Sequence, residues 1–131
     1  LSERDRWQQI KVVFDTHDTL NTLVAISGGH MRNLMRLLYG CLQKGDPPIT
    51  KAMLDAVIRD ERDALMALID AAEWDLLFEA VGGEDNQGNE AYNPLLRSLF
   101  LYEYRDNEGR WFGLNPILAQ TKRYRVWQAS R

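Results

Sequence analysis

The sequence predicts a mainly α-helical protein in which a helical bundle is followed by a smaller unit that contains a β-hairpin. Apolar residues recur with helical spacing over much of residues 3–81, and after residue 93 aromatic residues partly alternate with polar ones, as in strands. A length of 131 residues with 45% hydrophobic side chains suffices for one ordinary domain or two very small ones. We therefore divide the chain into residues 1–70 and residues 71–131.

Two short helices open the chain. The first is predicted over residues 3–16 with Ser2 as its N-cap, and its inward residues are Trp7, Ile10, Val13 and Phe14. The second is predicted over residues 19–26 with Asp18 as its N-cap, and its inward residues are Leu20, Leu23 and Val24.

The third helix, from about His30 to Gln43, is strongly amphipathic. Six apolar residues recur at helical spacing and are expected to form one buried stripe: Met31, Leu34, Met35, Leu38, Cys41 and Leu42. Arg32 and Arg36 fall on another face, and Gly45 suits a left-handed cap at the end. A single cysteine excludes an internal disulfide, and its place in the stripe predicts a buried thiol.

Two more helices follow an extended linker at residues 46–48. Thr50 is the predicted N-cap of a helix that reaches about Asp70, with a solvated charged outer face. The next helix, residues 71–81, turns Trp74, Leu77, Phe78 and Val81 inward. The polar segment 84–90 is predicted to be a plain loop, because it lacks the ligand spacing of a calcium loop.

The sequence of the last third of the chain predicts a short helix and a β-hairpin. A helix over residues 93–98 has Pro94 in its first turn, and strands over residues 99–104 and 110–114 flank a turn at residues 105–109. Helices followed by a hairpin have the order of a winged helix. A basic terminal segment follows.

A Gly-Gly pair leads directly into the third helix, and this junction is the best functional clue in the chain. The first backbone N–H groups of a helix lack partners, and the helix dipole adds positive charge there. Gly28 and Gly29 would let an anion approach the backbone, and Arg32 would add a guanidinium fork. The alternative interpretation is a plain turn with a solvated arginine.

The segment Ser27-Gly28-Gly29-His30-Met31-Arg32, with the leucines at positions 34, 37 and 38, resembles the sensor-2 segment in the helical lid of AAA+ and STAND-type P-loop ATPases. The resemblance implies that Arg32 points at the γ-phosphate of ATP, with Gly28, Gly29 and His30 beside the nucleotide. ATP and Mg²⁺ would be held mainly by an N-terminal P-loop core of the same polypeptide.

The second half is similar to the winged-helix tail that follows the lid in STAND-like bacterial ATPases. The resemblance is carried by Leu95-Leu96, the strand 101–104, Trp111-Phe112 and residues 115–118. It implies a helical lid followed by a winged helix, which together couple the nucleotide state to a protein partner. The chain itself would not be catalytic, although its parent would be an ATPase.

The alternative is a stand-alone winged-helix transcriptional regulator that binds DNA. Residues 46–90 hold three basic and twelve acidic side chains, whereas residues 91–131 hold seven basic and three acidic ones. The DNA contacts would come from Arg97, Arg110, Lys122, Arg123 and Arg125. A terminal helix that docks Tyr124 and Trp127 on its own domain explains the same segment, and an adaptor without a ligand is a third interpretation.

The residue inventory predicts no catalytic site and no metal site. The chain lacks a Walker A motif and a Ser/His/Asp arrangement with interpretable spacing, and His17 and His30 are its only histidines. It also lacks an apolar run long enough to cross a bilayer and a signal-peptide pattern. We expect a cytoplasmic protein, and a start at Leu1 rather than methionine fits a segment of a longer chain.

Overall fold

The structure is a computed structural model that describes residues 2–10, 12–83 and 90–131. The predicted loop at 84–90 therefore lies outside the described residues except for Glu90. The side chains of Trp7 and Ile10, both predicted to point inward, also lie outside them.

The fold class predicted from the sequence is confirmed, because the described residues are mainly helical and end in a β-hairpin. The helices are α1 (Glu3–Ile10), α2 (His17–Ile26), α3 (Met31–Lys44), α4 (Lys51–Leu68), α5 (Ala71–Gly82), α6 (Asn93–Arg97) and α7 (Lys122–Ala129). The strands are β1 (Leu101–Asp106) and β2 (Gly109–Leu114). The chain divides into two compact units, residues 1–61 and residues 62–131. This division falls within α4, whereas the division predicted at residue 70 falls at the junction of α4 and α5.

The first predicted helix is wrong beyond Ile10. Phe14 instead forms an isolated parallel bridge with Ile49, and the Asp15 N–H donates to the Ile49 carbonyl at 3.0 Å. Phe14 and Ile49 are both buried, whereas Val13 is exposed. The pairing of Phe14 with Ile49, which is distant in sequence, therefore overrides the local helical pattern.

The second helix begins two residues earlier than predicted, at His17, and Thr16 rather than Asp18 is its N-cap. The Thr16 hydroxyl accepts the Thr19 N–H at 3.2 Å, and Asp15 Oδ1 accepts the Thr19 hydroxyl at 2.6 Å. The hydrogen bond from the Thr19 hydroxyl lowers the pKa of Asp15. Leu23 is buried as predicted, but Val24 is exposed.

The third helix has the predicted position, but the predicted buried stripe is wrong for half of its members. Met31, Met35 and Leu42 are exposed, and the buried residues of α3 are Asn33, Leu37 and Cys41. Cys41 confirms the prediction of a buried thiol, and burial raises its pKa. Gly45 is extended, with φ 174°, and is not a left-handed cap.

The caps of α4 and α5 follow from their sequences. The Thr50 hydroxyl accepts the Met53 N–H at 3.2 Å, which confirms Thr50 as the cap of α4. Asp70 and Glu73 form a reciprocal capping box at the start of α5, which ends at the left-handed Gly83, φ 80°. Trp74 and Leu77 of α5 are buried as predicted.

The hairpin begins two residues later than predicted, at Leu101, and its register runs from Leu101 opposite Leu114 to Asp106 opposite Gly109. The reason lies at Leu99, which has a positive φ of 63° and so cannot belong to a strand. The buried Asn115 side chain donates to the Leu99 carbonyl at 2.9 Å and accepts the Ile117 N–H at 3.0 Å. Asn115 therefore joins the two chain segments at the base of the hairpin.

Candidate functional site

The turn between α2 and α3 requires glycine at two consecutive positions. Gly28 and Gly29 have φ values of 70° and 73°, in the left-handed region that side chains with a Cβ rarely adopt. An added Cβ at Gly29 would meet no atom within 4 Å, so conformation rather than space demands this glycine. The Gly-Gly pair predicted from the sequence therefore forms a tight turn.

Ser27 holds this turn from the α2 side. It is buried, and its hydroxyl donates to the Val24 carbonyl at 2.6 Å while accepting the Gly29 N–H at 3.3 Å. The His30 N–H donates to the Ser27 carbonyl at 3.3 Å. These bonds fix the direction in which the chain enters α3.

The N-terminus of α3 carries no side-chain cap. His30 occupies the cap position with extended backbone angles, φ −94° and ψ 115°, and its side chain makes no capping hydrogen bond. The first turn of α3 also contains no acidic residue. The positive end of the helix dipole therefore has no protein carboxylate on its own first turn, which is the arrangement that favours an external anion.

Arg32 lies in the first turn of α3 and is exposed. The structure thus brings all four residues of the predicted nucleotide contact, Gly28, Gly29, His30 and Arg32, to one helix start. Arg36, one turn later, is bound to Glu61 at 2.6 Å.

Asn33 supports the site and was missed by the sequence analysis. It is fully buried in the first turn of α3, and its amide nitrogen lies 3.5 Å from the Ser27 carbonyl. This contact links the helix start to the residue that begins the turn. The signal available in the sequence was a polar amide in the first turn of an amphipathic helix.

The residues predicted to contact nucleic acid lie on separate elements. Arg97 ends α6, Arg110 lies on β2, and Lys122, Arg123 and Arg125 lie on α7. Arg110 is 3.5 Å from Glu103 and lies over the Phe112 ring, and Arg123 lies over the Trp74 ring. Arg110 and Arg123 therefore have intramolecular roles in the second unit.

The aromatic residues of the terminal helix are engaged within the second unit as well. Trp127 stacks on Phe78 with ring centroids 4.7 Å apart and an interplanar angle of 6°, and the Arg131 guanidinium lies 4.7 Å from the Trp127 centroid. Both contacts engage the Trp127 ring within the second unit, so the ring already has intramolecular stacking partners.

Among the described residues, no group of three His, Cys, Asp or Glu side chains has the arrangement of a metal site. Among the helices of residues 2–10, 12–83 and 90–131, none combines the length and the apolar character needed to span a membrane.

In comparisons with known proteins, no protein family, curated protein or solved structure matches this chain. The basis for a function is therefore the geometry of the α2–α3 turn and the resemblance that its residues carry.

Proposed function

We propose that this chain is the nucleotide-sensing and partner-coupling module from the C-terminal region of a P-loop ATPase. In the complete protein, Arg32 contacts the γ-phosphate of ATP held by an N-terminal P-loop core. The observation that carries the proposal is the left-handed Gly28-Gly29 turn, which leads into a helix start without a side-chain cap and with an exposed Arg32 in its first turn.

These residues can bind an anion but cannot replace a nucleotide site. The N–H groups at the start of α3 and the Arg32 guanidinium are donors that suit phosphate oxygens. Phosphoryl transfer also needs a cradle for the β- and γ-phosphates and a Mg²⁺ site, which the proposal assigns to the core. ATP is therefore expected to bind the isolated chain weakly or not at all, and the chain alone to hydrolyse nothing.

The hydrogen bonds of the α2–α3 turn would couple the nucleotide to both helices. Ser27 and Asn33 tie the start of α3 to the end of α2, so movement of Arg32 with the nucleotide would move both helices together. The winged helix is the part expected to meet a protein partner.

The test is ATP turnover by the full-length protein with Arg32→Ala and with Arg36→Ala as the matched control. A charge-assisted hydrogen bond contributes about 1.5–3 kcal/mol, so we expect turnover to fall about ten- to hundredfold with Arg32→Ala. Arg36→Ala removes an exposed ion pair on the same helix, which contributes at most about 1 kcal/mol to stability, and should leave turnover near wild type.

Three results would contradict the proposal: a parent sequence without a P-loop upstream, turnover unchanged by Arg32→Ala, or equal losses in both variants. Equal losses would indicate a structural effect on α3 rather than a phosphate contact.

The alternative of a stand-alone DNA-binding regulator has less support, because Arg110, Arg123 and Trp127 are engaged within the second unit. It predicts salt-dependent DNA binding that is lost when Lys122, Arg123 and Arg125 are reversed in charge.

A further inference from the structure

The outer part of the hairpin carries an exposed tryptophan on one of its two faces. Trp111 of β2 is 47% exposed and stacks on its cross-strand neighbour Tyr104, with ring centroids 5.7 Å apart and an interplanar angle of 22°. Toward the tip, the next residue of β2 on this face is Gly109, where an added Cβ would meet no atom within 4 Å. The indole of Trp111 therefore contacts Tyr104 on one side, and the next position toward the tip has no side chain to cover it.

The two faces of the hairpin differ in charge. Side chains alternate between the faces along each strand, so Asp106 belongs to the same face as Trp111. The two residues are diagonal neighbours across the strands, at a separation of about 7–8 Å that long side chains can bridge. Arg105 and Arg110 are held on the other face by Glu103, at 2.9 Å and 3.5 Å. The face of Trp111 is therefore aromatic and anionic.

The Asp106 carboxylate is fixed at the start of the turn. Its Oδ1 accepts the Glu108 N–H at 2.8 Å, and Asp106 forms no ion pair with any residue that the structure describes. A fixed carboxylate beside an exposed indole suits a cation, because the ring face attracts positive charge and the carboxylate accepts hydrogen bonds from it. We call Trp111 and Asp106 the hairpin site.

The second unit also shows which cation its aromatic rings take. Three of its rings lie against a guanidinium group of the same unit: Arg123 over Trp74 at 5.6 Å, Arg131 over Trp127 at 4.7 Å and Arg110 over Phe112 at 5.6 Å. Within the described part of the chain, no guanidinium lies over Trp111. A guanidinium also fits the hairpin site better than an ammonium does, since it is planar, stacks on a ring and donates two hydrogen bonds to one carboxylate.

We infer that the hairpin site binds an arginine side chain presented by a protein partner. A nucleic acid is a poor occupant, because Asp106 and Glu108 would repel its phosphates. The inference rests on the proposed function only for the role of this contact in coupling, since the binding itself needs neither ATP nor Arg32.

A blocked tripeptide, N-acetyl-Ala-Arg-Ala-amide, tests the hairpin site by NMR titration of the 131-residue chain. The backbone amide signals of residues 108 and 109 report binding, and matched peptides carry lysine or glutamine in place of arginine. One ring and one carboxylate support a Kd on the order of millimolar for a single side chain. We expect saturable shifts with the arginine peptide, a Kd at least about threefold higher with the lysine peptide, and no saturation with the glutamine peptide.

Three variants separate the ring, the carboxylate and the general charge of the turn. Trp111→Leu removes an exposed ring and should abolish saturable binding. Asp106→Asn keeps an acceptor for the Glu108 N–H but removes the charge, so the Kd should rise about two- to fivefold. Glu108→Gln is the matched control, because it removes an exposed carboxylate from the same turn. At about 0.15 M salt, which screens charges that are not in contact, it should leave the Kd unchanged. Urea unfolding of each variant verifies that the fold is intact.

The outcomes separate this inference from the proposed function. Saturable binding that requires Trp111, together with turnover that depends on Arg32, supports both. Shifts that are equal for the three peptides, or that survive Trp111→Leu, overturn the hairpin site alone. Arginine binding with turnover that is indifferent to Arg32 overturns the proposed function alone. Shifts at residue 109 that rise with protein concentration indicate a second copy, and tighter binding of a single-stranded oligonucleotide indicates a nucleobase; either result overturns the inference.

Discussion

Replacing Asn115 by alanine should destabilise the second unit more than any exposed polar substitution. Asn115 is fully buried, and its side chain donates to the Leu99 carbonyl at 2.9 Å and accepts the Ile117 N–H at 3.0 Å. Its own N–H donates to the Phe100 carbonyl at 3.0 Å. Alanine keeps the backbone bond but leaves one buried carbonyl and one buried N–H without their partner.

The magnitude follows from these two groups. Each buried group that loses its partner costs about 1–3 kcal/mol. Leu99 is held at a φ of 63°, a conformation that costs a residue with a Cβ about 1–2 kcal/mol, and freedom to relax there offsets part of the loss. We therefore expect the free energy of unfolding to fall by about 2–4 kcal/mol and Tm to fall by roughly 10 °C.

Urea unfolding followed by tryptophan fluorescence measures this loss, with Asn93→Ala as the control because Asn93 is exposed. Asn115→Asp provides a sharper comparison. The carboxylate keeps the acceptor for the Ile117 N–H but cannot donate to the Leu99 carbonyl, so stability should recover in part when acid protonates it. A loss below about 0.5 kcal/mol in Asn115→Ala, the range of an ordinary surface substitution, would refute the reasoning.

Three further predictions follow from the packing and the hydrogen bonds. Gly113→Ala would place a Cβ 2.8 Å from Tyr104 Cε2 and should cost about 1–3 kcal/mol in urea unfolding; an unchanged midpoint would contradict this. The Thr19 hydroxyl lowers the pKa of Asp15 in the folded state, so ionised Asp15 stabilises the protein at pH values above its ordinary pKa. This contribution is lost as the pH falls through the folded-state pKa. Asp15→Asn should therefore remove that part of the acid dependence of the protein's stability. The Cys41 thiol, buried and with a raised pKa, should react with a thiol reagent in urea but not in the native protein, and rapid native labelling would disprove its burial.

Much of the fold could be predicted because the signals are local. The positions of α3 and α5, the Thr50 cap and the hairpin depend on residues a few positions apart. The end of α1 could not be predicted in this way. It depends on Ile49, a residue that becomes the neighbour of Phe14 only after the chain has folded.

The burial of α3 illustrates a different limit. Periodicity shows which residues share a face, but this helix is apolar around more than half of its circumference. Sequence alone then cannot decide which arc faces the core, and the structure buries Leu37 and Asn33 instead of Met31 and Met35. In the candidate site, the Gly-Gly turn and Arg32 were visible in the sequence, whereas the support from Asn33 requires coordinates.

The bridge between Phe14 and Ile49 also has a mechanical consequence. It closes the chain into a loop that contains all of α2 and α3, and two backbone hydrogen bonds fasten the neck of that loop. The two ends of the loop are therefore held together, and one of them, residue 49, lies two positions before α4 begins. The bridge thus fixes the separation of the two ends of the segment that carries α2 and α3.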